Sequence, residues 1–348
     1  MIKEDLWTYL KRQSKPIYIY GMGDGAQKII TALNKYGISI KGIYASDNYL
    51  RKDTFMGFDV VRRCMVADED YITLLAFATF NEDMLNDFYN YPTEMYAPDV
   101  PVAKTDDRFF DMEYAKKYKS ELTFVYDMLA DEQSKKVFEN VIYFKLTGKV
   151  SYLKDITTEI DEVYKNIIKP NKNEVYVDLG AYNGDTISEF IKFGGGGKII
   201  AVEPDLKNYN KMLKRIETEN IQNAKALNIG IWDKKETLFF DNCGGRNSKL
   251  NKEGKIQIEA DCVDNIVGSN IPTILKLDVE GAELKALQGA KNCIEKHKPK
   301  IMLSSYHRNE DLFELPIYLK SLNKDYKFYL RHHPYIPAWE TNYYVTNV

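Results

Sequence analysis

One stretch of the chain, residues 175–205, constrains the fold more than any other; its sequence is VYVDLGAYNGDTISEFIKFGGGGKIIAVEPD. Residues 175–177 and 199–202 are short apolar runs of residue types that favour strands. Between them, the apolar residues at 187, 190 and 191 recur at helical spacing. A strand, a helix and a second strand in this order predict a βαβ unit, whose two strands lie parallel in one sheet.

The turn between the first strand and the helix has the composition of a nucleoside-binding loop. Gly180 and Gly184 bracket it, and glycine both permits positive φ and lets the backbone approach a ligand at the helix N-terminus. Glu203 follows the second strand, where a carboxylate can accept hydrogen bonds from both hydroxyls of a ribose. The spacing Gly180-x-x-x-Gly184 after Asp178 differs from the dinucleotide pattern G-x-G-x-x-G, and no pyrophosphate cradle is evident.

Three blocks stand out in this half: VYVDLGAYNGDT, AVEPD and ILKLDVEGAELKALQGA, the last at residues 274–290. Asp178-x-Gly180 and Glu203 look like the first two motifs of class I S-adenosylmethionine (SAM) methyltransferases, and the three blocks together resemble the FkbM family of O-methyltransferases. The resemblance covers roughly residues 171–348, and the first half of the chain resembles an amino-terminal Rossmann-like domain of some family members. It implies SAM as the cofactor and a hydroxyl of a sugar or glycan precursor as the methyl acceptor.

The resemblance also implies which residues contact the cofactor. Asp178 would anchor the amino-acid end of SAM, Glu203 would hold the ribose, and residues 228–232 would contact adenine. An alternative role for Asp178 is that of a helix-capping or strand-end carboxylate. The full predicted set is Asp178, Gly180, Tyr182, Asn183, Gly184, Asp185, Glu203, Pro204, Asn228, Ile231 and Trp232.

The candidate catalytic residues follow two later strands. Methyl transfer from a sulfonium requires chiefly that the acceptor oxygen is positioned and loses its proton. Asp278 and Glu280 come after the strand ILKL and are the first candidates for this proton transfer, although Glu280 could instead cap the next helix. His307 is the second candidate base, because a neutral imidazole titrates near physiological pH.

The remaining histidines leave several alternatives open. His332 and His333 could bind substrate, pair with Glu340, or help Asp278 hold a divalent ion, whereas His297 is expected to be a solvated residue at a helix end. The sequence has no recognisable metal-ligand spacing, so a divalent metal is possible but not expected.

Residues 16–62 predict a second βαβ unit. Its glycine turn, Gly21-x-Gly23-x-Gly25, has the glycines too close together for the dinucleotide pattern, and Asp47 lies about where a ribose-binding carboxylate would be. Such a turn is compatible with a nucleotide site or with a tight strand-to-helix connection that binds nothing.

These patterns predict an α/β fold with three parts. Residues 1–103 form a smaller Rossmann-like, nucleotide-binding-type domain, and residues 104–170 form a helical connector with stripes of apolar residues. Residues 171–348 form the SAM-dependent methyltransferase domain. Its sheet is expected to be doubly wound and mostly parallel, with an antiparallel final strand, because the chain ends in two strands that can pair as a hairpin.

Composition narrows the classes of partner. The net charge of −3 predicts no nucleic-acid binding. The cysteines, at 64, 243, 262 and 293, lack C-x-x-C spacing, which favours reduced thiols and a cytoplasmic location. No apolar stretch is long enough for a membrane span. The expected partner is a small-molecule or glycan acceptor, and a homo-oligomer is possible.

Two rival functions stay open at the level of sequence. One is a NAD(P)- or nucleotide-sugar-binding oxidoreductase or isomerase that uses the first glycine turn, although no Tyr-x-x-x-Lys pair stands in a matching context there. The other is a non-catalytic nucleotide-binding assembly module with a vestigial SAM site. The presence of Asp178, Gly180, Glu203, Asp278 and Glu280 argues against this second rival.

Overall fold

The structure is a computed structural model, and it describes residues 2–47, 53–66, 70–102, 109–241, 249–251 and 256–347. Cys243 and the predicted boundary between residues 103 and 104 lie outside the described residues. Among the helices that the structure describes, none has both the length and the apolar character that crossing a membrane requires.

The first part of the chain builds a sheet with strand order β3-β4-β2-β1-β5-β6, in which only the β3–β4 pair is antiparallel. Helix α2 ends at Gly37, because this residue adopts the left-handed conformation with φ +68°. A 3₁₀ turn at Arg63–Val66 follows β4. The elements are α1 (Leu6–Lys11), β1 (Ile17–Tyr20), α2 (Asp24–Tyr36), β2 (Gly42–Ala45), β3 (Thr54–Phe55), β4 (Phe58–Arg62), β5 (Ile72–Leu75), α3 (Glu82–Tyr89) and β6 (Glu94–Tyr96).

A helical segment follows, as predicted. Its helices α4 and α6 each begin after an aspartate, Asp111 and Asp131, whose side chain accepts a hydrogen bond from a backbone N–H of the first turn. The apolar stripes predicted on α5 and α6 face the core, with Val125 and Val137 fully buried. The elements are α4 (Met112–Lys117), α5 (Lys119–Met128), α6 (Glu132–Thr147), α7 (Ser151–Lys154) and α8 (Ile160–Val163), which continues into a π-helical turn at Tyr164–Ile168.

The remaining chain builds a larger sheet and a small inserted sheet. Two consecutive helices of this part, Glu283–Gly289 and Lys291–His297, are separated at Ala290. The elements are β7 (Val175–Leu179), α9 (Asp185–Lys192), β8 (Lys198–Val202), α10 (Leu206–Thr218), β9 (Ala224–Leu227), β10 (Gly230–Ile231), β11 (Glu236–Asp241), β12 (Lys249–Asn251), β13 (Ile256–Asp261), α11 (Val263–Val267), β14 (Ile274–Leu277), α12 (Glu283–Gly289), α13 (Lys291–His297), β15 (Lys300–Ser304), α14 (Asp311–Leu322), β16 (Lys327–His332) and β17 (Thr341–Thr346).

The larger sheet has the order β16-β17-β15-β14-β7-β8-β9. Strand β17 runs antiparallel to both of its neighbours, and the other pairs are parallel. This arrangement confirms the predicted α/β class, the mostly parallel sheet and the antiparallel final strand. The insert forms a separate sheet of order β10-β13-β11-β12.

The helical segment is attached to the larger sheet at β16. The backbone N–H of Ala130 donates to the carbonyl of Phe328 at 2.8 Å, and Arg331 pairs with Asp131 at 2.7 Å. One hydrophobic cluster contains buried residues of both large sheets and of the helical segment. The predicted division into residues 1–103, 104–170 and 171–348 stays a prediction.

Candidate functional site

A cavity of about 620 Å³ opens at the carboxyl edge of the larger sheet, where β7 and β14 lie side by side. The chain continues from β7 to β8 on one side and reaches β14 and β15 on the other, so the strand order reverses at this point. In open α/β sheets such a reversal creates a crevice in which ligands bind. The volume lies within the range of about 300–1,000 Å³ that is usual for small-molecule sites.

The glycine turn after β7 closes tightly onto the neighbouring strand. Gly180 has φ +83°, and a Cβ at this position would overlap the carbonyl oxygen of Asp278. Only glycine satisfies both conditions without strain. The next residues turn away and lead into α9 through Gly184, which has φ +81°. The backbone of Gly180 therefore lies directly beside the first candidate catalytic residue.

Glu203 is buried at the end of β8 and lines the cavity. Its two carboxyl oxygens accept hydrogen bonds from the backbone N–H groups of Tyr182 and Asp205, both at 2.9 Å. Burial raises the pKa of Glu203 to about 7, and the two N–H donors oppose this rise. Because each carboxylate oxygen can accept two hydrogen bonds, both oxygens retain capacity for the hydroxyls of a ligand.

Asp178 lies behind the cavity rather than in its lining. It is fully buried and pairs with Lys276 at 3.1 Å, and the hydroxyl of Thr186 donates a hydrogen bond to it. Burial alone would lower the pKa of Lys276, but Asp178 and then Asp278 outweigh burial and hold this pKa above its ordinary value. The ammonium also contacts the carbonyl of Gly180 at 3.3 Å. The pair fixes the glycine turn, and Lys276 was not among the predicted site residues.

The structure brings about half of the predicted cofactor-binding residues to the cavity. Those in the lining are Gly180, Tyr182, Asp185, Glu203, Pro204 and Ile231. Those outside it are Asp178, Asn183, Gly184, Asn228 and Trp232. The amide of Asn228 donates to the carbonyls of Glu203 and Pro204, at 2.8 and 3.0 Å, so this side chain supports the turn that carries Glu203.

His307 is the centre of a cluster of carboxylates on the other side of the cavity. Its Nδ1 lies 2.8 Å from Glu283, and its Nε2 lies 3.3 Å from Glu280 and 3.5 Å from Asp278. Burial alone would lower the pKa of this imidazole, but Glu283, Glu280 and Asp278 together raise the pKa to about 10. This environment favours the imidazolium over the neutral base that the sequence-based hypothesis required.

Glu283 has the capping position that the sequence left open for Glu280. Its Oε1 accepts hydrogen bonds from the backbone N–H groups of Val279 and Gly281, at 3.0 and 3.3 Å, just before α12 begins. Glu280 itself adopts φ +54° and reaches His307. Ligand atoms of Asp278, Glu283 and His307 all lie within 4.8 Å of one another, so these residues could hold a divalent ion.

Of the other histidines, His333 lines the cavity, whereas His332 and His297 do not. His332 is buried, with its ring nitrogens 3.0 Å from the Thr341 hydroxyl and 3.2 Å from the Tyr335 carbonyl, and burial lowers its pKa to about 3. His333 lines the cavity, and its Nδ1 lies 2.7 Å from the carbonyl of Thr158. His297 ends α13 and is partly exposed, as expected.

The cavity is strongly acidic. Seven acidic residues line it: Asp185, Glu189, Glu203, Asp205, Asp278, Glu280 and Glu340. The basic residues in the lining are Lys276, His307 and His333. Of these, Lys276 and His307 already pair with carboxylates. Because opposite charges attract and like charges repel, the cavity favours a ligand with positive charge over an anionic one.

The first part of the chain completes one wall of the cavity. Phe80, in the loop after β5, and Val102 both belong to the lining. This loop is attached to the segment between β16 and β17 by two backbone hydrogen bonds between Thr79 and Ile336, at 2.8 and 3.0 Å. Phe80 was not among the predicted site residues, because a single phenylalanine at a strand end is typical of a core residue.

Comparison with known proteins identifies the carboxyl-terminal part. Residues 178–335 match the methyltransferase FkbM domain. No curated protein sequence matches the chain. The structure of a methyltransferase FkbM from Methylobacillus flagellatus KT is similar over 97% of this chain and 92% of that chain, with a TM-score of 0.73 and 19% identity.

Two further solved structures are less similar. An rRNA methylase from Streptococcus thermophilus is 13% identical over 56% of this chain and 98% of that chain, with a TM-score of 0.39. A putative rRNA methylase from Clostridium thermocellum is 12% identical over 54% of this chain and 93% of that chain, with a TM-score of 0.35. The similarity to the Methylobacillus structure shows the fold of the chain, and the match over residues 178–335 identifies a methyltransferase FkbM domain in its carboxyl-terminal part.

Proposed function

We propose that this chain is a methyltransferase of the FkbM family that uses SAM and methylates a hydroxyl of a sugar or glycan precursor. The acidic lining of the cavity is the observation that supports SAM as the cofactor. SAM carries a sulfonium and an ammonium group against a single carboxylate, so its net charge is positive. The pyrophosphate of NAD(P) or of a nucleotide sugar would be repelled by the same lining.

The residues of the glycine-turn side fit the adenosyl part of such a ligand. The backbone at Gly180 is exposed to the cavity without a side chain, and Glu203 offers carboxylate oxygens for the ribose hydroxyls. Ile231 supplies an apolar contact for adenine. When bound, SAM supplies an electrophilic methyl group on its sulfonium.

The residues of the other side fit the acceptor. Asp278 and Glu280 line the cavity as carboxylates and can accept the proton of an acceptor hydroxyl. His307, as an imidazolium, holds both carboxylates in place from behind and does not take the proton itself. His307 is therefore a positioning residue, and the two carboxylates are the proposed bases.

Equilibrium dialysis of the full chain against SAM, NAD and UDP-glucose tests the cofactor. We expect SAM to bind and the two pyrophosphate compounds not to bind. Binding of NAD or UDP-glucose without SAM would support the oxidoreductase or isomerase alternative, and retention of none of the three would support the assembly module.

Transfer of a labelled methyl group from SAM to neutral saccharides, detected by mass spectrometry, tests the acceptor. We expect a methyl ether on a hydroxyl, and transfer only to nitrogen or carbon acceptors would contradict the proposal. The same assay with EDTA tests the metal alternative. Activity that chelation abolishes and Mg²⁺ restores would make Asp278, Glu283 and His307 metal ligands.

A further inference from the structure

Phe80 is an exposed aromatic residue in a fixed position. Its side chain is 70% exposed, although it lines the cavity. The neighbouring Thr79 makes two backbone hydrogen bonds to Ile336, and Asn81 caps α3 by accepting a hydrogen bond from the backbone N–H of Met84 at 3.0 Å. Both sides of Phe80 are thus anchored, so its exposure is a property of the folded loop.

Phe80 continues a row of rings from the other part of the chain. Its ring lies 6.1 Å from that of Tyr335, with 26° between the planes, and Tyr335 lies 6.0 Å from Trp339, with 30° between the planes. All three line the cavity. We refer to Phe80, Tyr335 and Trp339 as the aromatic strip. The first pair is stacked and the second is tilted, so the strip gives the cavity an aromatic wall against which a ring can pack.

Polar and acidic groups share the cavity with the strip. The Oδ1 of Asn342 is buried, and it has no hydrogen-bond partner within the part of the chain that the structure describes. Since an unpaired buried acceptor is costly, a ligand that donates a hydrogen bond to it would be favoured. Asp278 and Glu280 disfavour an anionic ligand. The matching ligand is uncharged and has both an apolar face and hydroxyl groups along its edge.

We propose that the two parts of the chain share the acceptor site, with Phe80 of the first part completing an aromatic strip that binds a neutral, hydroxyl-bearing ring. The ring stacks on the strip, one hydroxyl donates to Asn342, and another faces Asp278 and Glu280. The first part of the chain thereby selects the acceptor rather than binding a nucleotide. This inference rests on the proposed function, because it assumes that the cavity receives both SAM and an acceptor.

Saccharide binding to the full chain tests the inference. Trp339 lies in the strip, so tryptophan fluorescence can follow titration with cellotriose, a neutral probe, and with glucose 6-phosphate, an anionic one. We expect cellotriose to change the emission and glucose 6-phosphate to have no effect. Phe80→Ala should weaken cellotriose binding about 3–10-fold, and Phe80→Tyr should restore it, because a second aromatic ring keeps the stacking surface.

The matched control is Phe124→Ala. Phe124 is also an exposed phenylalanine, at 51%, but it lies on α5 and does not line the cavity. Its removal should leave cellotriose binding unchanged. SAM affinity, measured in the same samples, should be equal in all variants, because Phe80 stands on the acceptor side.

Three results would overturn the inference: equal cellotriose affinity in the unmodified protein and Phe80→Ala, no cellotriose binding by the unmodified protein at millimolar concentration, or tighter binding of glucose 6-phosphate. The proposed function fails by a different result. If SAM does not bind but cellotriose does so in a Phe80-dependent manner, the strip is a saccharide site and the assignment of SAM is wrong.

Discussion

The two βαβ units of this chain have similar glycine turns after their first strands, but only the turn of the second unit lies at the cavity. After β1, a Cβ on Gly25 would overlap the carbonyl oxygen of Ala76, and a Cβ on Gly21 would lie 2.8 Å from the ring of Phe77. After β7, a Cβ on Gly180 would overlap the carbonyl oxygen of Asp278. Both turns therefore need glycine for the same reason, the close approach of the neighbouring strand.

The two units differ in the residues that follow the neighbouring strand. Strand β5 lies beside β1 and is followed by Ala76 and Phe77. The ring of Phe77 packs on Tyr20 at 5.0 Å. Strand β14 lies beside β7 in the same way but is followed by Asp278, at the cavity. A glycine turn thus indicates only a close backbone contact. Whether a ligand can enter depends on the side chains that follow the neighbouring strand. This packing favours the tight strand-to-helix connection over a nucleotide site in the first unit.

The largest expected effect comes from removing the carboxylate that distinguishes the second unit. Asp278→Asn should lower the turnover of methyl transfer about 10²-fold or more, the usual scale for loss of a general base, and leave SAM affinity nearly unchanged. Asp24→Asn is the control, because Asp24 is an acidic residue at the glycine turn of the first unit that is half-exposed and does not line the cavity. Single-turnover kinetics and calorimetry check both variants. Normal turnover in Asp278→Asn would move the proton transfer to Glu280.

The next effect concerns stability and should be common to both units. Gly180→Ala and Gly25→Ala are each expected to lower the free energy of unfolding by about 2–4 kcal/mol, since the new Cβ overlaps a backbone carbonyl. Gly23→Ala should change it little, because no atom lies within 4 Å of a Cβ there. Urea denaturation of the three variants measures the difference. A stable Gly25→Ala variant would show that the first turn is looser than the second, contrary to the comparison.

Local patterns were sufficient to predict much of the fold. The glycine turns, the strands beside them and the antiparallel pair at the chain end all follow from residues that are close in sequence. The β3–β4 hairpin was missed, because its two-residue turn consists of Met56 and Gly57, both with positive φ, and methionine is not a residue that signals such a turn. Strand β4 of this hairpin also pairs with β2, which lies outside the hairpin.

The site was predicted less completely than the fold, because its contacts join distant residues. Glu203 and Asp278 stand directly after strands, so their place at the sheet edge follows from topology. Lys276 is buried against Asp178 across two strands that are 98 residues apart in sequence. The pairing of Phe80 with Tyr335 depends on how the first part of the chain packs on the last hairpin. A lysine inside the apolar strand ILKL was the one local signal for the first of these pairs.

A smaller effect compares the acidic residues after the second strand of each unit. Glu203→Ala should weaken SAM binding by about 1.5–3 kcal/mol, through loss of charge-assisted hydrogen bonds to the ribose. Asp47→Ala, in the first unit, should not change it, because Asp47 is exposed and does not line the cavity. Isothermal titration calorimetry measures both, and circular dichroism confirms folding. An unchanged affinity in folded Glu203→Ala would leave the second unit without its proposed ribose ligand.

The smallest expected effect tests whether His307, at the cavity beside the second unit, holds a buried positive charge. The carboxylates around His307 raise its pKa to about 10, against an ordinary value of 6.5, so the folded state keeps a proton that the unfolded state loses above pH 6.5. The stabilisation by these ion pairs is complete below pH 6.5, declines as pH rises, and is lost above about 10. The free energy of unfolding should therefore fall by about 1 kcal/mol between pH 7 and pH 8 from this group alone.

His307→Gln should remove this decline, whereas His297→Gln, a substitution at the partly exposed end of α13, should retain it. Urea denaturation at several pH values measures the slopes of all three proteins. If His307→Gln does not fold, the pH profiles of His297→Gln and the unmodified protein still test the prediction. Both proteins retain His307, so the free energy of unfolding of both should fall between pH 7 and pH 8. A flat profile between pH 7 and pH 8 in both would mean that His307 is neutral in the folded state, and would restore it as a candidate base beside Asp278.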